Sequence, residues 1–318
     1  MGISIRFYLK TWAALTVILG VLPLVHARMA VAGSRNQRSP QPSTLVLIGG
    51  GKRPTESLQA WIRSADQNAI ARRAPRARLG AIAWASGEAP ETLARLREEL
   101  APLTSSILES PPVEPSASGF SRPDLTRLLS WINSLDGLYF TGGDQNRVID
   151  LFVIHGEIPS SIRSRYESGN LTVAGTSAGT AIQGELVFTG DEDLTVIDPK
   201  PLHLRPGLSL LTGTIVDQHF VKRQRHNRMI SALIAHPELM GIAVDEDTAL
   251  VIQPQASFPK GQVFGRGQVL LFIPVQAQIK PGPIQDPQPG TRFDLTIVPS
   301  GSCIAFSGSL TRAIRCVP

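Results

Sequence analysis

Short apolar runs suited to buried strands recur along this chain, and most stop at a turn rich in glycine or in acid–base side chains. They fall at Leu45–Ile48, Leu79–Ala85, Ser106–Leu108, Gly137–Phe140, Leu171–Ala174 and Gly213–Val216. Helical patterns separate several of them, at Glu91–Leu100, Asp124–Ile132 and Gln145–Ile154. Strands alternating with helices predict an α/β fold, a three-layer sandwich with a mainly parallel sheet covered on both faces. After about residue 240 the texture changes to strand-like runs without long helices: Gly241–Val244, Thr248–Ile252, Gln268–Ile273 and Leu295–Val298. The proline-rich stretch Pro281–Gly290 reads as a loop among them. The expected organisation is an α/β domain over 43–255 and a small β-rich C-terminal extension over 256–318.

The first 42 residues read differently. Arg6 and Lys10 precede a 15-residue apolar run, Thr11–Val25, followed by small residues around Ala27 and Ala32. That is the three-part layout of a secretory signal peptide, expected to span 1–32. The run is shorter than the roughly 20 residues of a membrane-spanning helix, so no stable anchor is expected after cleavage. Residues 33–42 are polar and aperiodic, a flexible lead-in. The formal net charge of +5 over 318 residues suggests an anionic partner at first sight. Removal of 1–32 takes away Arg6, Lys10 and Arg28 and no acid, leaving 28 basic against 26 acidic residues, a net +2. That balance gives no reason to expect nucleic acid. In an oxidising compartment the only two cysteines, Cys303 and Cys316, become candidates for a disulfide.

In an open α/β sheet, ligands bind beyond the carboxyl ends of the strands. The residues at those positions here are Gly49-Gly50-Gly51, Gly142-Gly143-Asp144-Gln145, GTSAG at 175–179, Asp217-Gln218-His219 and Asp245-Glu246-Asp247. GTSAG matches the G-x-S-x-G pattern between a strand and a helix, the setting of a nucleophile elbow with Ser177 at its tip. The alternative use of such a turn is phosphate binding through the same free N–H groups. A serine nucleophile needs a base. His219 is the one histidine at a strand end, 42 residues after Ser177, and Glu246 follows the next strand 27 residues later. The chain order Ser, His, acid differs from that of α/β-hydrolases, but such sites are defined by geometry. The backbone N–H groups of Ala178 and Gly143 are the candidate oxyanion donors.

GGDQ at 142–145, GTSAG, DQHF followed by KRQRHNR over 217–228, and GIAVDEDTAL at 241–250 resemble, in order and spacing, the motifs of the cyanophycinase branch of the peptidase S51 family. The resemblance covers about residues 44–255. It implies a class I glutamine-amidotransferase-like fold and a serine exopeptidase cleaving β-aspartyl bonds, releasing β-Asp-Arg dipeptides from cyanophycin, often as a homodimer. It implies Ser177 as nucleophile, His219 as base and Glu246 as third member. Gln145, Asp217, Gln218, Arg223, Arg225 and Arg228 would line the substrate pocket.

Those pocket residues also make chemical sense. A β-aspartyl link leaves a free carboxylate beside the scissile bond for an arginine fork, and Asp217, Gln218 and Gln145 can receive a guanidinium. Lys222, Arg225 and Arg228 are expected on one helix face, with Met229, Ile230, Leu233 and Ile234 as an apolar stripe. The chain reads TAIQGE at 180–185 where the family pattern is closer to AxAMSE, so Gln183 and Gly184 are expected to reshape the pocket. Two other readings remain: an α-aspartyl dipeptidase of the same family, or an exported peptide-binding protein without turnover. No HExxH pair, EF-hand spacing or elbow cysteine is present, and no metal or cofactor is called for.

Overall fold

The computed structural model describes residues 43–190, 195–200, 202–254, 259–275, 292–307 and 312–315. The signal peptide and lead-in expected over 1–42 lie outside the described residues, as do the 281–290 loop and Cys316. The α/β architecture is as expected, but its strands form two sheets rather than one.

The first sheet has nine strands. Its parallel part consists of β1 (Leu45–Ile48), β2 (Leu79–Ile82), β3 (Leu108–Glu109), β4 (Gly137–Phe140) and β5 (Thr172–Thr176). Four residues of β1, LVLI, are all buried, because layers cover both faces of the sheet. Leu45 and Leu47 belong to the core on one face, and Val46 and Ile48 to the core on the other. The second core is closed by α1 (Thr55–Ala71), through Trp61, Ala65 and Ala69, and by α2 (Ala89–Leu100), through Leu93 and Leu96. The first is closed by α3 (Arg122–Ser134), α4 (Gln145–Ile154) and α5 (Glu157–Glu167). Helices α1 and α5 were not singled out in the sequence, where their apolar residues are diluted by Ser, Asn, Asp and Arg.

The second sheet has six strands. After β5 a four-residue helix, α6 (Ala178–Ala181), turns the chain into β6 (Gly184–Phe188). The strand β7 (Leu204–Pro206) lies on its outer side, and β8 (Leu211–Asp217) and β9 (Met240–Val244) continue in parallel on the inner one. Val187, Val216, Ile242 and Val244 reach into the first core, while Phe188, Ile215 and Ala243 pack against α7 (His226–Ala235).

Beyond β9 the described residues hold no helix, and a parallel pair needs a crossover, so the strands there add antiparallel. The described strands after β9, which are β10 (Thr248–Gln253) at the end of the expected 43–255 domain and those of the expected 256–318 tail, join the edges of the two sheets. Of these, β10, β11 (Lys260–Gly265), β14 (Cys303–Ser307) and β15 (Arg312–Arg315) widen the first sheet beside β1. The strands β12 (Gln268–Pro274) and β13 (Phe293–Pro299) widen the second beside β9. The chain crosses between the sheets at 177–183, 245–247, 266–267 and 300–302, and the first two crossings put chemistry-bearing residues at the seam. Among the described residues no helix is long and apolar enough to cross a membrane.

Candidate active site

Ser177 sits between β5 and α6 with φ 53° and ψ −118°, a conformation costly for a residue with a side chain. The surroundings fix it there. Its N–H donates to the Ile48 carbonyl (3.0 Å), and Thr180 Oγ1 both donates to Ile48 O (2.7 Å) and accepts from Ile48 N (2.9 Å). The two glycines of GTSAG are required by close approach. A Cβ on Gly175 would lie 2.1 Å from the Gly179 carbonyl oxygen, and one on Gly179 would lie 2.2 Å from that of Phe140. Gln183, expected to reshape the pocket, is instead fully buried beneath the elbow. Its Nε2 donates to Gly179 O (2.9 Å), so it supports the turn from below rather than lining the pocket.

His219 follows β8, with φ 49°, and its N–H donates to Gly49 O (2.8 Å). Its imidazole lies flat against Gly50, where a Cβ would fall 2.1 Å from Cε1. Nε2 is 2.8 Å from Ser177 Oγ, and Nδ1 is 2.7 Å from Glu246 Oε1, on the turn after β9. The three side chains thus form one hydrogen-bonded chain across the seam. Burial holds the His219 pKa below its ordinary value; the Glu246 hydrogen bond opposes that, while Arg223 and Arg225 add to it. The imidazole is therefore neutral at physiological pH. Other histidines are engaged elsewhere: His155 Nε2 accepts from Phe120 N (2.8 Å), His226 meets the Phe220 ring edge-on, and His236 pairs with Glu238.

The turn after β4 closes the other side of Ser177. A Cβ on Gly142 would lie 3.1 Å from Ser177 Cβ, and Gly143, with φ 138°, has no room for one against the Ala85 carbonyl oxygen (2.0 Å). The Ala178 N–H opens α6 and is one of the helix's unsatisfied donors. Gln145 starts α4; its Nε2 donates to Phe188 O (2.8 Å).

The residues expected to line the substrate pocket separate into two groups. Asp217 is buried, and its carboxylate is shared by Arg228, through Nε (2.8 Å) and Nη2 (2.5 Å), and by Arg225 Nη1 (3.2 Å). Arg228 also stacks its guanidinium 4.5 Å over the Phe188 ring. Asp217 is thus engaged with internal cations, and Arg228 is bound to it on β8 instead of presenting a free fork. Gln218, Arg223 and Arg225 remain beside His219. Arg225 Nη1 donates to Gln218 O (2.7 Å), while Arg225 Nε and Gln218 Oε1 are buried without a partner. The expected basic helix face does not form, because α7 begins only at His226 and both Lys222 and Arg225 lie in the turns before it. Of the apolar stripe, Met229 and Leu233 are buried.

Three participants were not assigned roles from sequence. Gly50 makes room for the imidazole, Thr180 ties the elbow to β1, and Asp247 (φ 54°) binds the Lys52 N–H through Oδ1 (2.6 Å). Gly50 and Asp247 stand in strand-end clusters that the sequence shows, and Thr180 had no such signal. Cys303 lies on β14 and Cys316 outside the described residues.

An elbow serine hydrogen-bonded to a histidine and a carboxylate, at the strand ends of an α/β fold, is the geometry of a serine hydrolase. The family model described as Peptidase family S51 matches residues 97–257. The chain belongs to that family, and its similarity lies with the cyanophycinase branch. The cyanophycinase of Trichormus variabilis is 37% identical over 145 residues, 46% of this chain and 47% of its own. That of Geminocystis herdmanii is 35% identical over 141 residues, 44% of this chain and 50% of its own. The chain spans about half the length of the curated relatives it matches. In fold, it is similar to a peptidase from an acI-B1 Actinobacterium, with a TM-score of 0.57 and 21% identity, covering 85% of this chain and 99% of that one.

Proposed function

We propose that this protein is an exported serine-type peptidase of the cyanophycinase kind, hydrolysing β-aspartyl peptide bonds to release β-Asp-Arg dipeptides. The observation that carries this reading is the continuous hydrogen-bonded chain Ser177 Oγ, His219 Nε2, His219 Nδ1, Glu246 Oε1. Similarity to curated cyanophycinases supports the substrate class.

In this mechanism Ser177 Oγ attacks the carbonyl carbon of the amide that joins one β-Asp-Arg unit to the next, as neutral His219 Nε2 takes its proton. Glu246 accepts the hydrogen bond from Nδ1–H, fixing the tautomer and stabilising the imidazolium that forms. The N–H groups of Ala178 and Gly143 hold the developing oxyanion. Collapse of the tetrahedral intermediate breaks the C–N bond, and His219 gives its proton to the leaving amine. Water, activated by the same imidazole, then releases the acyl group from Ser177. Arg225 and Arg223 supply cationic charge for the free carboxylate beside the scissile bond, and Gln145 and Gln218 supply amide groups. Burial favours an occupied site here: a substrate carboxylate would give Arg225 Nε the acceptor it lacks. Export with loss of residues 1–32, and assembly as a homodimer, complete the proposal.

The test is incubation of the mature protein and of Ser177→Ala with insoluble cyanophycin, products being followed by mass. Release of β-Asp-Arg by the unsubstituted protein alone is expected. Release by both would overturn the nucleophile. Cleavage of α-linked Asp-Arg in preference to the β-linked isomer would move the reading to an α-aspartyl dipeptidase, and tight binding without turnover to a binding protein.

A further inference from the structure

The turn after β1 holds two members of the triad. Gly49 O accepts from His219 N (2.8 Å), and the imidazole lies against Gly50. Gly50 O accepts from Asp247 N (2.9 Å), and Lys52 N donates to Asp247 Oδ1 (2.6 Å), so the same turn grips the segment that carries Glu246. Its first three residues are glycines, and Gly50 (φ 107°) and Gly51 (φ 70°) stand in the left-handed region. Glycine brings no side chain to fix such a turn and has the widest choice of backbone conformation. The position of the turn is therefore set at its ends. One end is the β1 ladder.

At the other end, just before α1, is Arg53, a buried cation that the proposed mechanism does not use. Its side chain is 14% exposed. A guanidinium taken out of water needs its N–H groups paired. Nε donates to the Tyr139 hydroxyl on β4 (3.1 Å), and Nη1 pairs with Glu99 on α2 (2.5 Å). Tyr139 is itself fully buried, with the Trp61 ring of α1 edge-on to it at 5.8 Å. Burial pushes the phenol pKa up, so the hydroxyl stays neutral. The Thr176 side chain, one residue before Ser177, neighbours the same hydroxyl. Arg53 thus ties the loose end of the glycine turn to the strands beneath the elbow.

We infer that Arg53, acting through Tyr139, is a positioning residue that keeps Gly50 against the His219 imidazole and holds the Glu246 turn with it. The inference rests on the triad of the function proposed above. Without this anchor the glycine turn relaxes from the ring, the alignment of Ser177, His219 and Glu246 loosens, and water reaches the imidazole. Burial is the largest influence holding the His219 pKa down, and Glu246, Arg223 and Arg225 are the charged groups acting on it. Hydration therefore raises that pKa, and activity that needs the neutral ring is lost at a higher pH.

The experiment follows, against pH, the second-order rate at which a fluorophosphonate modifies Ser177. Labelling forms the Oγ–P bond, expels fluoride and passes the Oγ proton to His219, whatever the natural substrate. The mature protein is compared with Arg53→Ala and Tyr139→Phe, with Ser177→Ala as the blank, mass locating the label and thermal unfolding recorded for each. Arg53→Ala is expected to label about 10–10²-fold more slowly at neutral pH, with its acid limb displaced upward. Tyr139→Phe keeps the Arg53 charge and removes one oxygen. A smaller loss with a displacement in the same direction is expected there from geometry alone, and this variant decides if Arg53→Ala does not fold. An acid limb that stays in place in a folded variant would overturn the inference whatever the rate, since a general loss of stability also slows labelling. The expected shifts in a protein inert toward cyanophycin would support the role of Arg53 while overturning the substrate. An unsubstituted protein that is never labelled at Ser177 would overturn the triad, and this inference with it.

Discussion

Ser177 and His219 stand 2.8 Å apart, yet the segments that carry them are held by different forces. The elbow is fixed by main-chain contacts and small residues: Gly175 on Gly179, Gly179 on Phe140, Thr180 on both strands' ends, with Gln183 beneath. It contains no charge. The His219 segment is fixed by charge: a buried carboxylate, Asp217, gathers Arg225 and Arg228 from the turns and helix that follow. A glycine-and-amide support tolerates no added atom but is indifferent to pH and salt. A buried ionic support tolerates changes of shape better, but loss of one partner leaves an uncompensated charge. The elbow thus fixes position, and the ionic segment also sets the electrostatics at the imidazole.

The largest effect should come from the elbow tip. Ser177→Ala is expected to lower kcat by ~10⁴-fold or more with the fold intact, measured by product release alongside circular dichroism. Comparable activity in that variant would sink the triad on both sides of the comparison. Glu246→Gln keeps the hydrogen-bonding shape but removes the charge that stabilises the imidazolium, and kcat should fall by ~10²–10⁴-fold.

Gly50→Ala tests whether a shape constraint extends from the elbow to the histidine. With φ 107° and an imidazole 2.1 Å from the new Cβ, the ring must move, and a loss of about 10²-fold in kcat is expected. Near-normal turnover would show that His219 is held by its hydrogen bonds alone.

Asp217→Ala tests the ionic support and reads out mainly as stability. It leaves two buried guanidinium groups without their shared carboxylate, at a cost of about 3–5 kcal/mol by denaturant unfolding. A cost near zero would mean that the segment is held by packing, as the elbow is.

The smallest effect is in pH dependence. With the neutral imidazole as the proposed base, kcat/KM should be fully developed at neutral pH. It should be lost in acid as pH falls through a His219 pKa below the ordinary histidine value. Arg223 contributes to that depression, so Arg223→Gln should raise the pKa and move the acid limb to higher pH. An unmoved limb would show that burial, Glu246 and Arg225 set it without Arg223.

Much of this site was legible in the sequence, because its chemistry is local to turns. G-x-S-x-G fixes a strand–elbow–helix within five residues, and DQHF and DEDTAL each follow a short apolar strand directly. Roles that depend on a distant partner were not legible. Asp217 has the residue type of a guanidinium receptor, and only the fold shows that Arg228, 11 residues on, already occupies it. Gln183 is expected in the pocket because TAIQGE departs from the family pattern there, but α6 is one turn long and the chain descends beneath the elbow before it can face the cleft.

The sequence by itself determined the alternation of strands and helices, the elbow, and the residue types at each strand end, since these depend on hydrophobic period and turn chemistry within a few residues. Only the tertiary structure decided that β6, β8 and β9 form a second sheet, that the tail strands divide between both, and that Ser177 and Glu246 lie on the first two crossings between the sheets. Strand pairing joins residues far apart in the chain, and no local pattern specifies which sheet edge a buried strand will take.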